Sequence, residues 1–253
     1  MNNRVLYLGD TAIDQAGSYL AGVLTYYKTE FDYIASDEKF DESFLPKNYK
    51  AIVISDYPAG NFSDSQMEAI AEKVKNGTGF LMIGGWDSFV GSGGKYNGTP
   101  LAEVLPVIMA DADDRINCSG PCLVVRNHSH QITDRLLFGA DAPAIGGFNK
   151  LKVKKGCIEI LSAQQFKVRY SKGSFVFSKG KTSPLLVTGS FGNGNTAAFA
   201  ADVAPHWIGP LVDWGDKRII AKADGGREIE VGNWYARLFI NMIRWISKDP
   251  AVK

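Results

Sequence analysis

The sequence predicts an α/β protein with a mostly parallel central sheet. Three short runs of continuous apolar residues, at 5–8, 51–54 and 80–83, are typical of strands that are buried on both faces. An apolar repeat at helical spacing lies between the last two runs. Because strands that alternate with helices form βαβ units, we expect a parallel sheet with helices on both faces.

The first half of the chain alternates between predicted strands and helices. Strands are predicted at 5–8 (VLYL), 31–35 (FDYIA), 51–54 (AIVI) and 80–83 (FLMI), and a first helix at 18–28. The second helix is the clearest element, because Ser63 and Gln66 form a capping box at its start. Gly77 suits the position after its last turn.

The second half is expected to be richer in β-structure. Its predicted elements are a short helix in a loop-rich stretch, two short strands, a hairpin about a Gly/Asn turn, and an apolar closing helix. In chain order these lie at 99–105, 157–161, 175–177, 184–191 with 196–201, and 233–247. No repeat or linker divides the sequence, so a single domain is predicted over 1–253.

Composition excludes several classes of partner. The 253 residues carry a net charge of +1, which gives no electrostatic case for binding nucleic acid or a membrane surface. Three cysteines argue against a disulfide framework and for a reducing compartment. The apolar segments are short and the amino-terminal stretch does not resemble a secretion signal, so a cytoplasmic location is predicted. No motif predicts a cofactor.

The turn after the 80–83 strand, GGWDSF at 84–89, is the first candidate site. It fits neither a Walker A loop nor a dinucleotide-binding loop, since the required glycines and the following helix are missing. It could instead be a nucleophile elbow, but its apex holds Gly85 and Trp86, and Ser88 is the nearby hydroxyl. The alternative is a structural turn in which Trp86 packs and Asp87 or Ser88 caps the backbone.

Histidines and aspartates supply the other candidates. His206, in DVAPHW, follows a predicted strand and lies beside Trp207, a setting that favours a pocket, although packing is an equal alternative. His128 and His130 lack the spacing of metal ligands, and we predict no metal site. Asp10, Asp56 and Asp87 follow predicted strands, where ligand crevices form or helices are capped.

Three strings in the sequence resemble a known family. They are GGWDSFVGSGGKYNGTPLAEVLPV from residue 84, GGFN at 146–149 and AADVAPHWIGP at 200–210. They are similar to the family described as "putative glutamine amidotransferase", in the class I glutamine amidotransferase-like superfamily near the trehalose-utilisation (ThuA-like) proteins. The resemblance implies a flavodoxin-like three-layer α/β sandwich with a β-rich C-terminal elaboration.

The resemblance does not carry over glutaminase chemistry. Class I amidotransferases use a cysteine at the elbow with a distant histidine and glutamate, whereas Gly85 and Trp86 occupy the elbow here. Ile208, not an acid, stands two residues after His206. The elbow therefore keeps its expected shape without its nucleophile.

The leading functional hypothesis is a pocket for a small polar molecule, with a carbohydrate favoured because an aromatic face lies beside polar groups. Its predicted lining is Asp56, Gly85, Trp86, Asp87, Ser88, His206 and Trp207. One alternative is an active hydrolase or amidotransferase, with Ser88 or a metal-bound water as nucleophile and His206 as base. Another is an inert protein with a structural or oligomeric role. Separately, an aromatic-rich surface is expected near Trp207 and Trp214, which favours self-association.

Overall fold

The computed structural model describes residues 4–139 and 141–250, which form fourteen strands and five α-helices. The strands are β1 Val5–Gly9, β2 Phe31–Ile34, β3 Ala51–Ser55, β4 Gly79–Ile83, β5 Val107–Ile108, β6 Arg115–Asn117, β7 Cys122–Arg126, β8 Gly147–Asn149, β9 Lys152–Val153, β10 Ile158–Ser171, β11 Ser174–Phe191, β12 Gly194–Phe199, β13 Arg218–Lys222 and β14 Glu228–Gly232. The helices are α1 Gly17–Tyr26, α2 Asp64–Lys75, α3 Pro100–Val104, α4 Pro205–Val212 and α5 Asn233–Ile246.

A central sheet of eight strands organises the described residues, in the order β2-β1-β3-β4-β12-β11-β10-β7. The first five strands are parallel to one another, and the last three run antiparallel to their neighbours. The predicted mostly parallel α/β fold is therefore confirmed. The antiparallel strands are the β-rich elaboration of the second half.

The helices cover both faces of this sheet. From β1 the chain crosses to β2 in one direction, and from β3 it crosses to β4 in the other. Since crossovers between parallel strands are right-handed in nearly all proteins, these two directions place α1 and α2 on opposite faces. α5 packs beside α1, and α3 packs beside α2, which gives the three layers of the sandwich.

Local sequence signals explain most element boundaries. Ser63 and Gln66 form the predicted capping box of α2, in which each side chain bonds the backbone N–H of the other residue. β1, β3 and β4 are buried along their whole length, as expected for continuous apolar runs. α5 buries nine side chains, in agreement with its apolar sequence.

Two predicted strands were far too short. The strands expected at 157–161 and 175–177 belong to β10 and β11, which have 14 and 18 residues. The two strands pair with each other as far as Ser171 and Ser174, beyond the edge of the rest of the sheet. The predicted hairpin across the Gly/Asn turn is the pairing of β11 with β12, and it is confirmed.

The buried apolar side chains form one contiguous cluster on both sides of the sheet. It includes Trp207 and Trp214, which are 4% and 6% exposed. The aromatic surface predicted around these two tryptophans is therefore wrong, because both rings pack inside the core. Among the described residues, no helix is both long and apolar enough to cross a membrane.

Candidate functional site

Three aspartates meet at the carboxyl edge of the parallel strands. Asp10 follows β1, Asp56 follows β3 and Asp202 follows β12. One carboxylate oxygen from each residue lies within 4.8 Å of the other two. Parallel strands bring their carboxyl ends to a single edge, where α/β proteins form their ligand crevices.

A cavity of about 590 Å³ opens over these carboxylates. Its walls come from the start of α1, the elbow turn, the start of α4 and the loop between β13 and β14. The residues that line it are Asp10, Thr11, Gln15, Ala16, Ser18, Tyr19, Asp56, Trp86, Asp202, Ala204, Pro205, His206, Arg227, Glu228 and Ile229. Together with Asp56 after β3, these walls make a crevice that is assembled from five separate parts of the chain.

Two of the aspartates are held by hydrogen bonds from buried groups. The Tyr7 hydroxyl donates to Asp10 Oδ2, and the Ser55 hydroxyl donates to Asp10 Oδ1 over 2.9 Å. Asp202 Oδ1 accepts the N–H groups of Val203 and Ala204 at 2.6 and 3.0 Å. Both aspartates are 2% exposed, so their carboxylates are fixed at the floor of the crevice.

The elbow turn holds the third carboxylate. The N–H of Asp87 donates to Asp56 Oδ1 at 2.8 Å, and the Ser88 hydroxyl accepts the N–H of Asp56 at 2.9 Å. Gly85 has a φ of +151°, and a Cβ there would lie 2.1 Å from Asp56 Oδ1. The turn thus needs glycine because the Asp56 carboxylate occupies the space of a side chain.

Three of the nine non-glycine residues with positive φ in the described part of the chain lie at the same edge. Asp10, Thr11 and Asp56 have φ values of 56°, 67° and 44°, in the left-handed region that non-glycine residues seldom adopt. This conformation is least favourable for a β-branched residue such as Thr11. Strained residues cluster at functional sites, and these three agree with that tendency, although Lys28 and Lys172 show the same conformation away from the crevice.

Burial and mutual repulsion make these carboxyls weak acids. Burial raises the pKa of Asp10 well above its ordinary value, and the nearby Asp202 and Asp56 raise it further. Burial, with Asp202 next in importance, raises the pKa of Asp56 to about 7. Burial raises the pKa of Asp202 to about 6, against two backbone hydrogen bonds that lower it. At neutral pH the cluster therefore holds at least one proton.

Trp86 and His206 form one rim of the crevice. Their rings stack with centroids 5.7 Å apart and planes 25° apart, and the Arg115 guanidinium lies 4.6 Å from the Trp86 centroid. His206 Nδ1 lies 3.3 Å from Asp202 Oδ2. The acidic partner of His206 is thus the residue four positions before it, and not the Ile208 position that the family comparison pointed to.

The predicted site residues divide into two groups. Asp56, Trp86 and His206 line the crevice. Gly85, Asp87 and Ser88 lie behind Asp56, and Ser88 is completely buried. Trp207 packs against Gly147 and donates its indole N–H to Asn117 at 3.0 Å. The nucleophile role of Ser88 stays a prediction, against which its burial and its bond to the Asp56 backbone weigh.

The GGFN segment clamps the elbow from behind. The buried Asn149 side chain accepts the Gly85 N–H at 2.9 Å and donates to the Gly85 carbonyl at 3.1 Å. It also donates to Asp114 at 2.8 Å, and Asp114 accepts the N–H groups of Val90 and Gly91. One asparagine therefore fixes both the turn and the loop that follows it.

Asp10 and Asp202 are functional candidates that the predicted lining lacked. The rule that ligands bind after parallel strands pointed to Asp10, but its contact with the other carboxylates depends on strand order. Arg227 and its neighbours in the β13–β14 loop carried no sequence signal at all. They reach the crevice because this hairpin packs on α1, where Ile229 fills the space beside Gly22.

The arrangement permits two kinds of chemistry. Three clustered carboxylate oxygens are hard ligands of the type that Mg²⁺ or Ca²⁺ takes, so Asp10, Asp56 and Asp202 are the residues that could hold a divalent cation. Carboxyls that share a proton near neutral pH can also donate and accept hydrogen bonds or transfer protons. None of the three cysteines lines the crevice, so no thiol stands where an amidotransferase needs one.

The chain is similar to a known protein family over most of its length. The family described as "Putative glutamine amidotransferase" matches residues 19–248. The chain belongs to this family. The match includes the elbow turn, the GGFN segment and His206. No curated protein shows significant similarity to the chain.

Several solved structures are similar to this chain. "Cytoplasmic Protein STM3548 from Salmonella typhimurium" is 26% identical with a TM-score of 0.72, covering 96% of this chain and 98% of that one. "Cytoplasmic Protein STM1381 from Salmonella typhimurium LT2" is 28% identical with a TM-score of 0.64, covering 81% and 90%. A ThuA-like protein from Bacteroides uniformis, 15% identical with a TM-score of 0.53 over 96% and 90%, shares the fold.

Proposed function

We propose that this chain binds a small polyhydroxylated metabolite, of which a carbohydrate is the favoured class, in the crevice above Asp10, Asp56 and Asp202. The convergence of these three carboxyls in one cavity carries the proposal. Carboxylates accept hydrogen bonds from hydroxyl groups, and a protonated carboxyl donates one. A ligand with several adjacent hydroxyls satisfies such a mixed set of donors and acceptors.

The size and walls of the crevice support a small ligand. Its volume of about 590 Å³ falls within the roughly 300–1,000 Å³ that is usual for small-molecule pockets. Gln15, Tyr19 and Arg227 add polar groups on the walls opposite the elbow. Arg227 and His206 also offer donors to a ligand carboxylate or hydroxyl, so the pocket is not restricted to cations.

The predicted site residues take two roles in this proposal. Asp56, Trp86 and His206 contact the ligand directly. Gly85, Asp87 and Ser88 position Asp56, and Trp207 anchors the start of α4, which carries His206, against Gly147 and Asn117. Trp86 already stacks on His206, so a sugar ring would use the solvent-exposed part of the indole, which is 44% exposed, or displace the imidazole.

Hydrolysis by an activated water is the second candidate. The observation that favours it is the contact of His206 with Asp202, next to carboxyls whose pKa values lie near neutrality. A histidine oriented by a buried carboxylate can act as a general base, and a raised carboxyl pKa suits a general acid. A divalent cation on the three aspartates would supply Lewis-acid activation of that water.

We also propose a cytoplasmic location. The two Salmonella relatives are named cytoplasmic proteins, and the low cysteine count suits a reducing compartment.

A thermal-shift screen tests the proposed function. The purified chain is melted with sugars, glutamine, nucleotides and divalent metals, with and without EDTA. A polyol bound at about 100 times its Kd should stabilise the protein by about 2.7 kcal/mol, or roughly 5–10 °C in Tm. Trp86→Ala and His206→Ala should abolish the shift, while Tyr26→Ala, an exposed aromatic outside the crevice, should retain it.

The same samples separate the alternatives. Product formation that is lost in His206→Ala but retained in Ser88→Ala would favour the water mechanism. Turnover lost in a Ser88→Ala variant that still binds ligand would restore Ser88 as the nucleophile. The absence of a shift with every compound would overturn the binding proposal and favour an inert site.

A further inference from the structure

The long hairpin of β10 and β11 projects from the body of the molecule. β10 pairs with β7 only as far as Gln165, and β11 pairs with β12 only from Leu186 onward. Between these points the two strands pair with each other up to the turn at Lys172 and Gly173, and the Phe166 N–H also donates to the Pro121 carbonyl at 2.8 Å. We name residues 166–181, the outer part of this ribbon, the arm.

One face of the arm is apolar. Val168 is directly opposite Phe177, and Tyr170 is directly opposite Phe175. Cross-strand partners project to the same face, so these four side chains form one patch, in which the Tyr170 and Phe175 rings lie 5.3 Å apart. Val168 is 41% exposed and Phe177 is 58% exposed, while Tyr170 and Phe175 are each 66% exposed. Lys167 and Arg169 project from the opposite face, whereas Lys179 lies on the apolar face, two residues from Phe177.

A ribbon of this kind is poorly suited to stand free in water. An isolated two-stranded hairpin is marginally stable, and a contiguous exposed apolar patch on a strand promotes association. Natural proteins cover such patches or interrupt them with charges, but here the nearest charge among the paired residues of the same face is Lys179, in the next pair of that face away from the tip. We therefore expect the apolar face of the arm to be covered by another surface.

The distribution of charge indicates what covers it. Five of the 28 Lys and Arg residues lie in the arm, namely Lys167, Arg169, Lys172, Lys179 and Lys181, and none of the 27 Asp and Glu residues does. The rest of the chain thus holds 23 basic against 27 acidic residues. Each copy carries a basic arm and an acidic body, which are complementary to those of a second copy.

We propose that the apolar face of the arm packs on a second copy of this chain, with the basic side chains of the arm near the acidic body of that copy. One face of four side chains is small beside the roughly 800 Å² that each partner usually buries in a stable interface. A dimer with two-fold symmetry doubles the contact area, because each copy packs its own arm on its partner and is contacted by the partner's arm. This surface replaces the one predicted around Trp207 and Trp214.

Mass measurement across concentration tests the arm. Sedimentation velocity of the wild-type chain should show a dimer or a larger symmetric oligomer. Tyr170→Ser/Phe175→Ser/Phe177→Ser should raise the dissociation constant by about tenfold or more for each aromatic anchor lost. The matched control Ile108→Ser/Ile220→Ser, two exposed apolar residues outside the arm, should keep the wild-type mass.

Two further variants test association through the arm if the triple variant misfolds. Lys167 and Ser178 are direct cross-strand partners, so residues 168–177 can be replaced by Asn-Gly, which closes a two-residue hairpin. This shortened chain should be monomeric and retain the native circular dichroism spectrum. Arg169→Glu/Lys179→Glu should also weaken association, since it opposes the acidic body.

Three results would overturn the proposal. The first is a wild-type chain that is monomeric at every concentration. The second is an oligomer that all the arm variants still form with wild-type affinity. The third is a monomer that sediments with vesicles containing anionic lipid, which would make a membrane surface the partner of the arm.

Discussion

At the scale of single residues, the crevice is defined by carboxyls whose ionisation the fold opposes. Asp10 and Asp202 are buried, and Asp56 lies against the backbone of Gly85. Their hydrogen bonds satisfy the oxygens, yet burial and mutual repulsion still dominate their pKa values. Keeping three such groups together costs stability at neutral pH, a cost that proteins usually bear at functional sites.

Because ionised Asp56 destabilises the fold, the effect of Asp56→Asn on the free energy of unfolding should depend on pH. The pKa of Asp56 is about 7 in the fold and about 4 in an unfolded chain. A raised folded pKa contributes stability that is complete below the unfolded value and is lost as the pH rises through about 7. Asparagine cannot ionise, so the free energy of unfolding of the variant relative to wild type should increase by about 2 kcal/mol between about pH 5 and pH 8.

Melting curves at the two pH values measure this effect, as a relative gain in Tm of roughly 4–8 °C. Asp37→Asn, on the exposed loop after β2, is the matched control, and the gain in Tm between the two pH values should be larger for Asp56→Asn. A gain for Asp56→Asn that is equal at both pH values would contradict the raised pKa.

At the scale of elements, the site depends on segments that are distant in sequence. Asn149 at the end of β8 fixes the elbow turn after β4, and Asp114 just before β6 fixes the loop that follows the turn. β6 and β8 pair with each other outside the main sheet. The small antiparallel insertions therefore act as a brace for the elbow.

Removal of this brace should destabilise the fold. Asn149→Ala deletes three hydrogen bonds and leaves the buried Gly85 N–H without its acceptor. We expect a loss of about 3 kcal/mol in the free energy of unfolding, measured by urea titration. Asn97→Ala, on an exposed loop, should change it by less than about 0.5 kcal/mol. If Asn149→Ala lowered the free energy of unfolding by as little as Asn97→Ala does, water would have to replace the hydrogen bonds of the Asn149 amide.

At the scale of the whole molecule, β12 joins the two halves of the fold. It pairs in parallel with β4 on one side and in antiparallel fashion with β11 on the other. α5, near the end of the chain, packs over β12 and β4 and beside α1. The first and last parts of the chain are thus required in the same core.

Phe239→Ala should therefore weaken the entire fold. The ring of Phe239 is fully buried on α5, with its centroid 5.5 Å from that of Phe199 on β12 and 4.8 Å from that of Tyr235. The resulting cavity should cost about 4 kcal/mol in a single cooperative transition, observed by both fluorescence and circular dichroism. Tyr26→Ala, an exposed aromatic on α1, should cost less than about 1 kcal/mol. Two separate transitions would show that the halves unfold independently.

The sequence by itself determined the buried strands, the capped helix α2, the closing helix and the parallel α/β class. These follow from local apolar periodicity and capping, which act within a few residues. It also placed Asp56, Trp86 and His206 at strand ends, where parallel topology makes a crevice. The apolar–polar alternation of KVRYS at 167–171 is also typical of a strand, but it is not one of the continuous apolar runs that predict the buried strands.

Tertiary structure alone decided the rest. The meeting of Asp10 with Asp202 requires the strand order β1-β3-β4-β12, which no local pattern encodes. The burial of Ser88, Trp207 and Trp214 depends on which segments cover them. Local pattern fixes how each segment folds, but the contacts between segments depend on the order in which the sheet collects its strands, and the carboxylate cluster exists only through those contacts.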